Sequence, residues 1–392
     1  PCRAIAEDPS AADEHTNRAN TVAVISDGSR VLGLGDIGPL AGLPVMEGKA
    51  LLFKYLGGVD AVPLVVDLHD ADSLVRFVLA VQPSFGGINL EDIAQPKCFE
   101  ILDRLRAEAS IPVWHDDQQG TATVILAGLI NALKVVDKRI EDAGIAFIGA
   151  GASNTAAARL AFAAGADPAR CCVVDRRGIL GRHRADLERQ RGTFAAKWRL
   201  CEITNAEGRV GGAAEAIEGM DVVIACSTPG PGTIRPEWLR RMREGAVVFA
   251  CANPVPEIWP WEAAEAGVAV FATGRSDFPN QVNNSLCFPG LFRGVLDVRA
   301  KTITDGMCLA AARSLAASVG PEPSADRILP TMEEWEVFPR EAADVAVQAQ
   351  AEGVARRTLS WHEAHAAAES AIRRARAMVA DAMRLGHIPS PP

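Results

Sequence analysis

Apolar residues recur along the chain in short runs, separated by longer stretches in which they return every third or fourth position. The runs at 22–25, 62–66, 87–90 and 111–114 read as strands, and 73–81 and 96–108 carry helical spacing between them. Such alternation predicts a mostly parallel sheet with helices on both faces. A longer helical pattern at 121–136 ends in the polar stretch Asp137-Lys138-Arg139. A second series of runs follows at 145–148, 172–174, 222–225, 247–250 and 268–271. Residues 283–296 end that series and open another helix. Beyond Pro330 the chain turns rich in Ala, Glu and Arg, with amphipathic helices expected over 340–386.

The predicted fold is α/β. Two parallel-sheet domains are expected, the second a Rossmann-type dinucleotide-binding domain, with a helical C-terminal segment. The expected boundaries are 1–120 (completed by about 284–330), 121–283 and 331–392.

Composition narrows the function. A chain of 392 residues, 48% hydrophobic and 23% charged, suits a soluble enzyme of two or three domains. A net charge of −9 argues against nucleic acid and anionic membranes as partners, since both need concentrated positive charge. No apolar run is long enough to span a bilayer, and the first residues show no signal-peptide pattern. Nine cysteines occur without a Cys-x-x-Cys pair. Cys171, Cys172, Cys226 and Cys287 lie within apolar patterns, which points to packing in a reducing cytoplasm. His362 and His365 are expected on a solvated helix face.

The chemistry gathers at strand ends. Glu91 and Asp92 follow the run 87–90, and Asp116 and Asp117 follow 111–114. Strand ends at one edge of a parallel sheet lie together, and ligands bind there. Carboxylates gathered at that edge would repel one another without a cation, and oxygen-only ligands favour Mg²⁺ or Mn²⁺. Two unrelated acidic loops or helix N-caps are the competing reading. The run 145–148 leads into Gly149-Ala150-Gly151-Ala152-Ser153-Asn154 and then a helix. This is the strand, glycine turn and helix order that cradles a pyrophosphate, with Asn154 where a third glycine is usual. Asp175 ends the next strand and suits an adenosine ribose, hence NAD. Arg176 and Arg177 follow at once and suit the extra phosphate of NADP. The loop 227–232 follows a later strand and is a candidate border for the nicotinamide side.

Four further residues suit a small carboxylic acid. Arg30 sits in a glycine-rich turn and can grip a carboxylate through two parallel hydrogen bonds. Lys49 is either a solvated helix residue or, near a metal and an aspartate, a base. Asn253 and Asn284 offer hydrogen bonds without charge.

Together the stretches SDGSRVLGLGDIGP, PVMEGKALLFK, FGGINLEDI, HDDQQGTA, GAGAS, ANPVPEI and ATGRSDFPNQVNN, with the later FPG, resemble the malic enzymes. They run in family order over residues 1 to about 310. The resemblance implies oxidative decarboxylation of L-malate to pyruvate and CO₂, with reduction of NAD or NADP and a requirement for Mg²⁺ or Mn²⁺. It implies Glu91, Asp92 and Asp117 as metal ligands, Lys49 as the base and Asp116 as the carboxylate beside it. Arg30 matches the arginine that holds the substrate carboxylate. Asn253 and Asn284 match asparagines near substrate and nicotinamide, and Gly149, Gly151, Ala152, Ser153 and Asp175 contact the nucleotide. A homodimer or higher homo-oligomer is expected. The family's general acid is a tyrosine in a Tyr-Thr-Pro segment placed just before the part matching Pro1-Cys2-Arg3. The sole tyrosine, Tyr55, does not match it and is expected to be structural. Two other readings compete: a homologue that binds nucleotide and malate without turnover, and a dehydrogenase that does not decarboxylate.

Overall fold

Every residue of the runs 87–90 and 145–148 is buried in the computed structural model, as befits strands covered on both faces. The structure describes residues 1–31 and 33–389. Leu32, in the glycine-rich segment after Arg30, and the last three residues of the C-terminal segment lie outside the described residues. The chain falls into two units. The first comprises Pro1–Asp116, Ser285–Ser314 and the chain from Met332; the second comprises Asp117–Asn284 and Leu315–Thr331.

In the first unit four strands, β1 (Thr21–Ser26), β2 (Asp60–Val65), β3 (Gly87–Leu90) and β4 (Val113–His115), form a parallel sheet in the order β2-β1-β3-β4. Helix α1 (Gly38–Gly57) joins β1 to β2, α2 (Ala71–Val81) joins β2 to β3, and α3 (Lys97–Glu108) joins β3 to β4. The strand β2 is an edge, half-exposed along its length and carrying Pro63, whose missing N–H costs an edge strand little. Gly42, Met46, Lys49, Phe53 and Leu56 line the buried face of α1, at the spacing of a helical stripe. The helix stops at Gly58, whose positive φ of 64° suits glycine.

Beneath β3 and β4 the core is aromatic. Phe53 meets Phe288 at 4.6 Å between ring centroids and Phe292 at 5.3 Å, and Trp114 meets Phe292 edge-on at 6.4 Å. Phe288 and Phe292 lie on the helix Phe288–Asp297, against which Val337–Ala351 packs. A Cβ on Gly294 would lie 2.2 Å from the Ala342 carbonyl oxygen, so glycine is what lets these two helices approach. The last helix, Trp361–Arg384, starts with a Ser360–Glu363 capping box. It buries Ala364, Ala368, Ile372 and Ala375 along one face and packs on Val337–Ala351 and on α1. The C-terminal helices are thus part of the first unit. His365 stacks on Trp361, and Arg376 sits 4.3 Å over the ring of Tyr55. Both contacts are packing contacts.

The second unit is built on a six-stranded sheet. Its strands are β5 (Ile145–Ile148), β6 (Cys172–Asp175), β7 (Gly178–Ile179), β8 (Val222–Ala225), β9 (Val247–Ala250) and β10 (Val270–Thr273). The order is β10-β9-β8-β5-β6-β7, parallel except for the β6–β7 hairpin. The order reverses at β5, which makes the C-terminal end of β5 the switch point of the sheet. Burial pushes the Cys171 and Cys172 thiols up to about 12 and about 11, so both stay protonated and serve packing.

Candidate active site

Sheet register creates the charged cluster of the first unit. Leu90 of β3 is in register with His115 of β4, so the next residues, Glu91 and Asp116, leave adjacent strand ends side by side. Side chains two apart on a strand share a face. Asn89 therefore reaches Glu91, donating from Nδ2 to Oε2 at 3.0 Å, and Trp114 reaches Asp116, donating from Nε1 to Oδ1 at 2.9 Å. Lys49 enters from the buried stripe of α1. Its Nζ is hydrogen-bonded to Asp116 and lies 2.8 Å from Glu91, with the Phe288 ring centroid 4.4 Å away. Burial works against the Lys49 charge, but Asp116 and Glu91 outweigh it and hold the ammonium above its ordinary range.

Asp92 follows with φ of 54°, a left-handed conformation that costs energy for a non-glycine residue and that Asp tolerates better than most. Its carbonyl accepts the Arg30 N–H at 3.0 Å, which fixes the turn after β1 against the end of β3. That turn depends on Gly28. Its φ is 65°, and a Cβ there would lie 2.2 Å from the Gly38 carbonyl oxygen. Arg30 itself is exposed. The residue after Asp116 in the chain is Asp117, half-buried in the turn 116–120. Glu91 and Asp92 both offer carboxylate oxygens at the end of β3, a donor type that fits a hard divalent cation.

In the second unit, Gly149 and Gly151 carry the chain from β5 into the helix α4 (Ala152–Ala163). The φ of Gly149 is 100°, and a Cβ there would lie 2.6 Å from the Cys226 carbonyl oxygen. The first turn of α4 has no side-chain cap, which leaves its N–H groups to an anion. Ser153 Oγ donates to the Asp117 carbonyl at 2.9 Å. Asn154 resolves the missing third glycine. Its buried amide donates to the carbonyls of Ile148, Gly149 and Ile224 at 2.9, 3.0 and 3.1 Å, so a side chain ties strand and helix where glycine would let them touch. Asn154→Ala should destabilise the protein by about 2–4 kcal/mol, since it strips partners from buried carbonyls; urea unfolding measures it.

Asp175 ends β6 but is already engaged by Arg184 and Lys197. Asn253, in the loop after β9, is half-buried, with Gly274 leaving room for its amide: a Cβ there would lie 2.5 Å from Asn253 Nδ2. Buried Glu257 accepts the N–H groups of Ser227 and Ala252 at 2.8 and 3.0 Å, and so joins the loops after β8 and β9. Burial raises its carboxyl pKa against these hydrogen bonds. Asn284 opens the short turn Asn284–Leu286. Sequence reading passed over Asn89, Trp114, Arg184 and Glu257. For the first two, strand alternation from Glu91 and Asp116 was the available signal.

Residues 5–106 match the family described as malic enzyme, N-terminal domain, and residues 118–351 match malic enzyme, NAD binding domain. An NAD-dependent malic enzyme of Geobacillus stearothermophilus is 48% identical over 91% of this chain and 72% of its own. An NADP-dependent malic enzyme of Halomonas elongata is 43% identical over 92% of this chain and 87% of its own. The crystal structure of Entamoeba histolytica malic enzyme aligns with a TM-score of 0.97 at 50% identity, over all of this chain and 82% of the other.

Proposed function

The chain belongs to the malic enzyme family, and from that premise we propose that it oxidises and decarboxylates L-malate to pyruvate and CO₂ with reduction of a nicotinamide nucleotide. The observation that carries this reading is the buried Lys49, Asp116 and Glu91 cluster at the strand ends of the first unit.

Lys49 is the group that takes the malate hydroxyl proton. It must first be neutral, and Asp116, the carboxylate hydrogen-bonded to it, can receive its proton. Trp114 and Asn89 fix Asp116 and Glu91 in place. Arg30 grips a substrate carboxylate, and Asn253 and Asn284 orient substrate and nicotinamide by neutral hydrogen bonds. We assign Glu91, Asp92 and Asp117 to a Mg²⁺ or Mn²⁺ ion. When bound, that ion supplies Lewis-acid polarisation of the oxygen on the carbon being oxidised and favours loss of the neighbouring carboxylate as CO₂. Gly149, Gly151, Ala152 and Ser153 hold the pyrophosphate, and the nicotinamide accepts hydride. NAD is the favoured nucleotide, and NADP is the second. Substrate and metal chemistry belong to 1–120, completed by about 284–330, and nucleotide binding to 121–283. Residues 331–392 carry no chemistry.

Exposed Leu40 and Leu51 on α1 and Val62 on the edge strand β2 favour a homodimer or higher homo-oligomer. Among the described residues no helix is long and apolar enough to cross a membrane, and Cys171, Cys172, Cys201 and Cys287 are free thiols. The cytoplasm, with neither nucleic acid nor membrane as partner, is the setting we assign.

Initial rates with malate and Mn²⁺, run with NAD and NADP in parallel, test this reading. The expected result is reduced nucleotide, pyruvate and CO₂ in equal amounts. Oxaloacetate accumulating without CO₂ would favour a dehydrogenase that does not decarboxylate. Tight nucleotide binding without turnover would favour the inactive homologue, for which nothing in the cluster speaks.

A further inference from the structure

Parallel pairing sets two cysteines side by side at the edge of the six-stranded sheet. Ala225 of β8 is in register with Ala250 of β9, and the ladder continues past them, where the Cys251 N–H donates to the Ala225 carbonyl at 2.9 Å. Cys226 and Cys251 therefore occupy neighbouring positions just beyond adjacent strand ends, on one face of the sheet. Strand spacing of about 4.8 Å falls within the ~4.4–6.8 Å between Cα atoms that a disulfide spans. The Cys251 side chain is hydrogen-bonded to that of Cys226. One carboxylate secures the pair from outside. Glu257 Oε1 accepts the N–H of Ser227 at 2.8 Å and Oε2 accepts that of Ala252 at 3.0 Å, and these are the residues that follow the two cysteines.

Access separates this pair from the other cysteines. Cys98, Cys171, Cys172, Cys201, Cys287 and Cys308 are buried, whereas Cys226 and Cys251 are both half-buried. Their setting ties them to the nucleotide loops. A Cβ on Gly149 would strike the Cys226 carbonyl oxygen at 2.6 Å, so the glycine turn rests on the Cys226 backbone. Cys251 stands two residues before Asn253. A disulfide would draw the two sulfurs from hydrogen-bond contact to about 2.05 Å and pull on both backbones.

We infer that Cys226 and Cys251 form an oxidisable dithiol, closed to a disulfide by a peroxide, and that closure weakens nucleotide binding. The coupling rests on the dinucleotide reading of the second unit, and the bridge does not. The Cys226 thiolate attacks one peroxide oxygen. The O–O bond breaks, Cys226 becomes a sulfenic acid, and water or an alcohol is released. The Cys251 sulfur then attacks the Cys226 sulfur. The S–S bond forms, the S–O bond breaks, and the hydroxyl leaves as water with the Cys251 proton. The two sulfurs together lose two electrons, which reduce the peroxide. The order of attack follows from the contacts: the hydrogen bond to Cys226 and burial hold the Cys251 thiol well above its ordinary range, so Cys251 keeps its proton and Cys226 attacks first.

The test is hydrogen peroxide treatment of the full chain, with alkylation of free thiols, peptide mapping and NADH titration before and after dithiothreitol. The expected product joins the peptides of Cys226 and Cys251 with loss of two hydrogens. Its Kd for NADH should exceed that of the reduced chain by about tenfold or more, and dithiothreitol should restore it. Binding is reciprocal, so saturating NADH should favour the dithiol by the same factor. For tenfold, this raises the reduction potential of the pair by about 30 mV, read in a glutathione buffer. Cys226→Ser and Cys251→Ser should each bind NADH as the reduced wild type does and keep that affinity after peroxide. Wild type whose two thiols both remain open to alkylation after peroxide would overturn the inference, as would a bridge that leaves the NADH Kd unchanged. Loss of affinity that persists in the serine variants would overturn it too, by placing the damage elsewhere. Should one serine variant fail to fold, the other decides. Failure of the reduced wild type to bind NADH would instead remove the dinucleotide reading and the coupling with it, while the peptide map still decides the bridge.

Discussion

Lys49→Ala is expected to lower malate oxidation by about 10²- to 10⁴-fold, the range that a positioned acid–base group contributes. NADH binding should be untouched, because the glycine turn at Gly149 and Gly151 belongs to the other unit. The same change has a structural cost. It leaves Glu91 and Asp116 buried without their shared cation, and an unpaired buried charge costs about 3–5 kcal/mol. The variant should therefore melt well below wild type. Mn²⁺ should raise its melting temperature by more than it raises that of wild type, since the ion would replace the missing positive charge beside Glu91. A rate profile against pH, a melt with and without Mn²⁺ and an NADH titration separate these effects. Near-normal turnover would remove Lys49 from proton transfer, and loss of NADH binding would show that the substitution acts through the fold.

Asp117→Asn should cost activity by orders of magnitude and shift the Mn²⁺ requirement upward by ~10-fold or more, because site affinity follows the charge count of its ligands. Asparagine preserves the shape of the side chain, and the backbone carbonyl that accepts from Ser153 Oγ is unchanged. The fold should therefore survive, and the deficit should be one of charge. A second readout does not depend on turnover. An ion that binds the folded state alone stabilises it in proportion to the logarithm of its saturation. Mn²⁺ should thus raise the melting temperature of wild type clearly and that of Asp117→Asn much less. Full turnover of the variant after chelator treatment would sink the metal assignment.

The two sheets were legible because their central strands are uniform apolar runs, such as 145–148 and 222–225, bounded by glycine and polar turns. The acidic pairs were legible because they stand just beyond such runs. Lys49 was harder. Its neighbours Met46, Phe53 and Leu56 trace a buried stripe that includes it, but a lysine within a stripe reads as a solvated residue until its partners are known. Those partners, Glu91 and Asp116, come from distant segments, and only sheet register makes them adjacent. Asp175 shows the converse. Position alone marked it as a ribose ligand, and nothing in its immediate sequence revealed that Arg184 and Lys197 fold back onto it. The tie of the C-terminal helices to the first unit was equally hidden, since small inward residues such as Ala342 and Ala368 carry little hydrophobic signal.

The first unit is interrupted in sequence by the second, and this orders events at the ribosome. Phe53 and Trp114 emerge early, whereas their partners Phe288 and Phe292 emerge only after the whole stretch 117–284 has been made. The helices that cover α1 and Phe288–Asp297 come later still. Until then the nascent chain holds an incomplete aromatic core with the edge strand β2 beside it, a state open to misassociation. The six strands of the second unit, by contrast, are contiguous in sequence and can pair as they appear. Shortening the chain from its C-terminus should accordingly cost the first unit its solubility, while a fragment lacking the last helix still pairs its nucleotide-fold strands.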